Sequence, residues 1–393
     1  MTALRVAIIG CGGFAAEHHR AIKALEAEGL CRLVATCDPA AAARDAAAAT
    51  HALAARGVRL FPDYLEMLDR CAGELDAVTI ATPIQCHGDM HRECARRGLP
   101  MYLEKPPTLD LAELQAMIAA DATLTRQTQV GFNFIGQSAR QQLKQRLLAG
   151  EFGALRGVAF YGVWPRGLAY FHRSPWAGRR RLDGKVVLDS CFTNAMAHFV
   201  HNLLFWCGTD GLFSWRRPDL RRCRMARAYP VETADTVFLE GTLPGNGEFR
   251  IAMTHACAGD HEDLEMVRCE RATIRYHEHQ PGLPGRRFRV AWNDGRTEEL
   301  DAAADIVPAN FRRWLAYLRG EEPRPMTRLA DCLPFVELSN LAFAAAEPVR
   351  TLAAAEYQEK PLPNSLDTVR EIPGIRDACR AFAETGEWPT LWP

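Results

Sequence analysis

A hydrophobic strand that runs directly into closely spaced glycines, and then into a helix, is the feature that most restricts this chain's fold. Residues 5–16 read RVAIIGCGGFAA. Arg5–Ile9 predicts a strand, and Gly10-Cys11-Gly12-Gly13-Phe14-Ala15 fits the pattern GxGxxA. Gly10 permits the tight turn, Gly12 lets backbone approach a pyrophosphate, and Ala15 lets the helix pack close to the sheet. Gly13 and Phe14 complete the loop, and the helix N-terminus offers N–H groups to phosphate. Asp38 closes the next predicted strand, 25 residues beyond Gly13, near the spacing of a ribose-binding acid. A carboxylate there accepts from the ribose hydroxyls and repels a 2′-phosphate, so the pattern predicts NAD in preference to NADP. Pro39 and Ala40 follow, so no adjacent Arg offers itself to that phosphate. The competing readings are a tight strand–helix turn that binds nothing, and an ordinary Asp before proline.

The rest of the first third alternates short apolar runs with helical patterns, the signature of βαβ units and a parallel sheet. Strands are expected at Arg32–Cys37, Ala77–Ala81, Pro100–Glu104 and Thr128–Phe132, with helices over Ala40–Ala55 and Asp89–Arg97. From about residue 155 long alternating segments take over: Val158–Trp164, Thr236–Leu243, Glu248–His255, Glu265–Tyr276 and Arg287–Trp292. They predict an antiparallel or mixed sheet. Helices are expected within Ser190–Trp206 and over Pro308–Arg319 and Cys332–Ala346. The last stretch carries Ile375, Ala378, Cys379 and Phe382 at helical spacing, stopped at Gly386, then Trp388, Leu391 and Trp392. So much apolar surface is not left in water. The fold class is therefore an α/β Rossmann domain (1–126) followed by an α+β domain with a large, mostly antiparallel sheet (127–346). A C-terminal extension (347–393) is expected to pack on that domain or on a neighbouring subunit.

Composition excludes several classes. Hydrophobic residues make up 48%, charged residues 24%, and the net charge is -1, so no overall field draws the chain to nucleic acid or an anionic membrane. The basic run Arg179-Arg180-Arg181 is short and reads as a solvated loop. No apolar run reaches the ~18 residues of a membrane span, and no leader pattern opens the chain. The thirteen cysteines are scattered, without CxxC or zinc spacing. Free thiols and a cytoplasmic location are expected.

By residue 105 the sequence resembles the Gfo/Idh/MocA family, named after glucose–fructose oxidoreductase, inositol dehydrogenase and a rhizopine-catabolism protein. The matching segments are AIIGCGGFAAEHH, ATPIQCH at 81–87, YLEKPP at 102–107, VGFNF at 130–134 and LLAGEFGALRGV at 147–158. The glycine turn is generic, whereas EKP after a strand with TPxxxH before it is far more specific. The resemblance implies that Lys105 is the catalytic lysine beside the nicotinamide. It also implies that Thr82, Pro83 and His87 line the cofactor cleft, and that Glu104 contacts cofactor or supports the lysine. Lys105 follows a predicted parallel strand, on the side where open α/β sheets bind ligands.

The family commonly carries an Asp and a His four residues apart in its second domain. Here Asp189 has Thr193 at that distance, whereas Asn194 and His198 have the spacing and are followed by HFVHNLLFWCG. The segment resembles a subgroup with Asn in place of Asp. Asn194 can then only orient and hydrogen-bond, and His198 is the candidate general base. Competing readings are a satisfied buried histidine and a metal held with His201, for which no third ligand is apparent. Trp164, Arg166, Tyr170, Arg173 and Trp176, in or near the loop YFHRSPWAGR, are the candidate substrate residues. Their aromatic faces and charged donors suit a sugar, cyclitol or related polyhydroxy molecule.

The expected activity is hydride transfer between NAD and a secondary alcohol or ketone of such a substrate, without a metal. Two other readings stay open. One is redox-assisted cleavage of a glycosidic bond on the same fold, and the other a non-catalytic ligand-sensing regulator. The resemblance also implies a homodimer or homotetramer.

Overall fold

The computed structural model describes residues 2–279, 286–302, 305–362 and 365–390. By contacts the chain divides into two compact units, Met1–Gly136 with Asp305–Leu333, and Gln137–Ala304 with Pro334–Pro393. The first unit is thus discontinuous in sequence.

Six strands build the first unit's sheet: β1 (Leu4–Ile9), β2 (Cys31–Cys37), β3 (Arg59–Phe61), β4 (Ala77–Ile80), β5 (Met101–Leu103) and β6 (Gln129–Val130). They are all parallel, in the order β3-β2-β1-β4-β5-β6. This is the doubly wound order of a dinucleotide-binding fold, with its switch point between β1 and β4. The helices are α1 (Ala15–Ala27), α2 (Ala41–Thr50), α3 (Tyr64–Arg70), α4 (His87–Arg96) and α5 (Leu111–Asp121). The strands read as continuous apolar runs because helices cover both faces of a parallel sheet; Val6, Ala7 and Ile8 are fully buried. The helix over Ile306–Arg319 returns to this unit, packing Phe311, Trp314 and Leu315 against Ile22, Leu25 and Tyr102. Arg20 pairs with Asp305 and Arg312 with Glu28 at its edges.

The second unit runs through α6 (Ser138–Leu148), β7 (Leu155–Val163), α7 (Leu168–Phe171), β8 (Arg181–Leu182), β9 (Lys185–Val186) and α8 (Ala197–Cys207). It continues through β10 (Asp219–Arg227), β11 (Thr236–Leu243), β12 (Gly247–Thr254), β13 (Glu262–Cys269), β14 (Ala272–Tyr276), β15 (Arg287–Trp292) and β16 (Thr297–Asp301). Past the returning helix, now α9, come α10 (Leu333–Ala345), β17 (Arg350–Thr351), β18 (Gln358–Pro361), β19 (Thr368–Glu371) and α11 (Ile375–Thr385). Nine strands form one mixed sheet, β16-β15-β14-β13-β7-β12-β11-β10-β17, in which β7 pairs parallel with β12. The single strand expected over Glu265–Tyr276 is two. β13 and β14 pair antiparallel around Glu270 and Arg271, because a polar pair interrupting an apolar alternation supplies a hairpin turn.

Alternation along the central strands gives the sheet two apolar faces. One carries Tyr161, Phe238, Ala252, Leu264 and Met266 and is covered by Ile375, Cys379, Phe382 and Ala383 of α11. Trp388 meets Phe382 edge-on at 4.9 Å and lies under the Arg222 guanidinium at 4.0 Å. Leu391 and Trp392 lie outside the described residues. The other face meets α8, where Phe199 stacks on Phe160 at 4.3 Å. Polar groups fix α8 further. Glu265 on β13, itself paired with buried Arg140, accepts from Asn202 (2.9 Å) and Trp206 (2.6 Å). Buried Lys144 donates to the carbonyls of Phe205, Trp206 and Gly208 at the helix's C-terminus. Its burial lowers its pKa to about 8.

None of the thirteen cysteines is in a disulfide, and all but Cys86 are buried. Arg179 and Arg180 are paired, with Glu232 and Glu347. Among the described residues no helix is long and apolar enough to cross a membrane, and no group of His, Cys, Asp and Glu could hold a metal ion.

Candidate active site

The turn after β1 is built for close backbone approach. Gly10 has φ +114, and a Cβ there would lie 2.4 Å from the Ala81 carbonyl oxygen, so only glycine fits. At Gly12 a Cβ would meet nothing nearer than Ala43, at 3.7 Å. Phe14 precedes α1 without a side-chain cap, and the N–H groups of Ala15, Ala16 and Glu17 donate to the carbonyls of Gly12, Gly13 and Phe14. The close backbone approach that Gly10 and Gly12 allow is what a pyrophosphate needs, and the residues fit a dinucleotide. The Asp38 carboxylate is oriented by backbone: Oδ2 accepts from Cys11 N–H and Oδ1 from Ala40 N–H, both at 2.9 Å. Arg44, six residues on, folds back to donate to the carbonyls of Asp38 and Pro39. An arginine is therefore beside Asp38, a neighbour that its immediate sequence does not show.

The segments after β4 and β5 are tied together. His87 is 1% exposed; its Nε2 lies 2.9 Å from the Thr82 carbonyl and its Nδ1 3.0 Å from that of Pro106. Burial lowers its pKa, against the raising effect of those carbonyls. Its ring is a brace between the two turns. Thr82 is half-buried, its hydroxyl on Met90 Sδ at 3.3 Å, and Pro83 is exposed. Glu104 is fixed by buried His18, Nε2 to Oε1 at 2.9 Å, while His18 Nδ1 meets Thr79 Oγ1 at 3.2 Å. The other Glu104 oxygen accepts from the Lys105 N–H at 3.2 Å. Lys105 is thereby held, partly exposed, just past the carboxyl end of β5.

In the second unit the stretch before α8 is not one helix. Cys191–Ala195 forms a single wide π turn, Met196 breaks it, and α8 starts at Ala197. Asn194 and His198 fall on opposite sides of that break, so the 3.6-residue period does not place them on one face. Both are half-buried. His201 is fully buried, and burial holds its pKa well below the ordinary histidine value. Asp189, which has Thr193 and not a histidine four residues on, is nevertheless in the cluster. It accepts from Asn194 Nδ2 (2.6 Å), Gly178 N–H (2.7 Å) and Arg173 Nη2 (3.2 Å). Leu188 before it has φ 46, a conformation uncommon for leucine that redirects the chain here.

The expected substrate residues lie beyond the end of β7. Tyr170 stands between two guanidiniums, with Arg173 3.8 Å and Arg166 5.1 Å from its ring centre, and Arg173 also covers Trp176 at 4.6 Å. Trp164 is buried, donating to Asp263 Oδ2 at 3.2 Å. Two histidines join them: His261, whose Nε2 is 2.7 Å from Arg166 Nη1, and His255, which meets Tyr170 at 5.6 Å between ring centres.

Residues 4–132 match the Gfo/Idh/MocA model, described as an oxidoreductase family with an NAD-binding Rossmann fold. Those residues thus carry the Rossmann domain of the Gfo/Idh/MocA family. An inositol 2-dehydrogenase of Leifsonia xyli subsp. xyli is 31% identical over 189 residues, covering 48% of this chain and 50% of that one. The chain spans about half or less of the length of the curated relatives it matches at 30% identity or more. The fold extends much further. The WlbA dehydrogenase from Chromobactrium violaceum, solved with NADH and UDP-GlcNAcA, aligns at TM-score 0.69 and 21% identity over 89% of this chain and 95% of that one. KijD10, a 3-ketoreductase from Actinomadura kijaniata solved with NADP, aligns at 0.70 and 17% over 89% and 100%.

Sequence reasoning about the Gfo/Idh/MocA pattern passed over His18, Arg44, Asp189, His255 and His261. The histidine of AAEHH was present in a matching segment, and Asp189 was set aside because Thr193, not a histidine, lies four residues on. For His255 and His261 no local signal exists, because sheet pairing is what brings them beside Arg166.

Proposed function

We propose that the protein is an NAD-dependent oxidoreductase acting on a secondary alcohol or ketone of a polyhydroxy metabolite. The observation that carries this is the pair of features at the carboxyl ends of the first sheet. An uncapped glycine turn is shaped for pyrophosphate, and a lysine is set by the His18–Glu104 pair past β5. The names of the inositol 2-dehydrogenase relative and of the 3-ketoreductase with this fold support the reading. Gly10, Gly12, Gly13, Phe14 and Ala15 would hold the pyrophosphate, and Asp38 the ribose hydroxyls. When bound, the nicotinamide accepts or supplies the hydride. Lys105 donates to the substrate oxygen on which negative charge develops. His198 takes up the hydroxyl proton. Asn194, held by Asp189, orients. Thr82, Pro83 and His87 shape the turn that faces the same strand ends.

The test is a screen of sugars, cyclitols and sugar acids at the nicotinamide absorbance band, with NAD and NADP in parallel. Reduced cofactor accumulating with a member of the series is expected. A cleaved glycoside without accumulating NADH would replace this reading with redox-assisted cleavage, and ligand binding without turnover would replace it with a sensor.

A further inference from the structure

Where β7 and β12 end and β13 begins, a guanidinium sits among rings with no carboxylate against it among the described residues. Arg166 Nη1 donates to His261 Nε2 (2.7 Å) and to its neighbour's carbonyl, Pro165 O (3.2 Å). Its Nε is buried without a partner among the described residues. Arg173, its nearest cationic neighbour on Tyr170, is already compensated by Asp189. Asp263 is saturated by Trp164 Nε1, the N–H groups of Glu278 and His279, and His279 Nδ1.

The flanking imidazoles are neutral. His255 is 1% exposed. Its Nδ1 lies 2.9 Å from the Trp164 carbonyl, so Nδ1 carries the proton and Nε2 is left as an acceptor. That Nε2 is buried and has no partner among the described residues. His261 accepts from Arg166 and is likewise uncharged at that nitrogen. Burial and the Arg166 charge push the two down to about 3 and about 4. The guanidinium therefore has no ion-pair partner among the described residues, in a partly buried setting and beside an unsatisfied acceptor. An uncompensated charge there is costly unless a ligand supplies the counter-charge.

We propose that Arg166 anchors a substrate carboxylate and that His255 Nε2 accepts from a hydroxyl of the same molecule, so that the substrate is a polyhydroxy carboxylic acid. A planar guanidinium matches the two oxygens of a carboxylate. A single guanidinium matches a monoanion better than a phosphate dianion. This narrows the polyhydroxy substrate of the proposed oxidoreductase reading and rests on it for the chemistry, though not for the binding.

The probes are D-galacturonate and D-gluconate, their neutral parents D-galactose and D-glucose, and D-glucose 6-phosphate, titrated calorimetrically and assayed for NADH formation. The acids should bind at least about tenfold more tightly than their parents, and Arg166→Gln should weaken acid binding about 10- to 100-fold. Arg166→Lys, which keeps the charge and loses the fork, should recover part of it, and His255→Phe should weaken acids and parents alike. NAD affinity, measured in each variant, serves as the control for folding. Acid binding unchanged in Arg166→Gln, no binding by either acid, or tighter binding of the phosphate ester would overturn the anchor. Arg166-dependent acid binding with no NADH formed from any probe would leave the anchor standing and count against the oxidoreductase reading. NADH formed from neutral sugars, equally in Arg166→Gln, would do the reverse.

Discussion

Two side chains carry most of the proposed chemistry at the residue scale, and they are held differently. Lys105 is fixed through its backbone by Glu104. His198 begins a helix anchored at its far end. Losing a general base typically costs about 10²–10⁴-fold in rate. Lys105→Ala and His198→Ala should each lower single-turnover rates by at least ~10²-fold, with NAD affinity little changed. Asn194→Ala should cost less. Near-normal turnover in His198→Ala would remove it as the base; His201 is no substitute, since it is fully buried. In the proposed reading, cofactor choice belongs to Asp38. Asp38→Ala should narrow the NAD-over-NADP preference, because it deletes ribose acceptors and the repulsion of a 2′-phosphate while Arg44 stays close by. Calorimetric titration of both cofactors checks this, and a wild type that prefers NADP would refute the assignment. The positions of Gly10, Asp38 and Lys105 past strand ends were legible because each follows an apolar run at a set spacing. Asp189 was not, because a π turn and a break at Met196 shift the register that the spacing rule assumes.

Among the elements, α11 is the one whose partner the sequence left undecided. Its apolar stripe predicted burial, and in the structure Ile375, Cys379 and Phe382 cover one face of the nine-stranded sheet of the same chain. Arg380 and Arg376 tie the helix to Glu262, and Arg268 donates to the carbonyls of Ala383 and Glu384 at its end. Full burial of Ile375 and Phe382 contributes about 3–6 kcal/mol. A chain ending at Pro373 should therefore melt about 6 °C lower or more and bind a hydrophobic dye through the uncovered Tyr161, Phe238 and Met266. An unchanged melting temperature without dye binding would show that the helix is dispensable. The hairpin of β13 and β14 was read as one strand since both halves keep the same alternation, and β10 escaped notice because its arginines mask the period.

Over the whole molecule, burial of histidines sets how stability follows pH. His19 is fully buried, and burial, with the nearby His51, pushes it down to about 4; His255 lies at about 3. An unfolded histidine titrates near 6.5, so the unfolded chain takes up these protons first as pH falls. The stability they represent is complete above about pH 6.5 and is lost towards the folded values. By pH 5 each should cost roughly 1–2 kcal/mol. Buried Asp235, raised to about 6, runs the other way and offsets part of this. Denaturant midpoints should fall between pH 7.5 and pH 5, and fall less in His19→Asn; a midpoint independent of pH would contradict the balance. The apolar periods, the glycine turn and the strand-end residues were enough to determine a parallel dinucleotide-binding sheet followed by a large mixed one, because those signals depend on neighbours within a few residues. Only the tertiary structure decided that residues 305–333 return to the first unit, that Asp189 stands behind Asn194, and that His255 and His261 flank Arg166. Each joins stretches apart in the chain, and strand pairing and helix packing across such separations leave no mark in the local pattern.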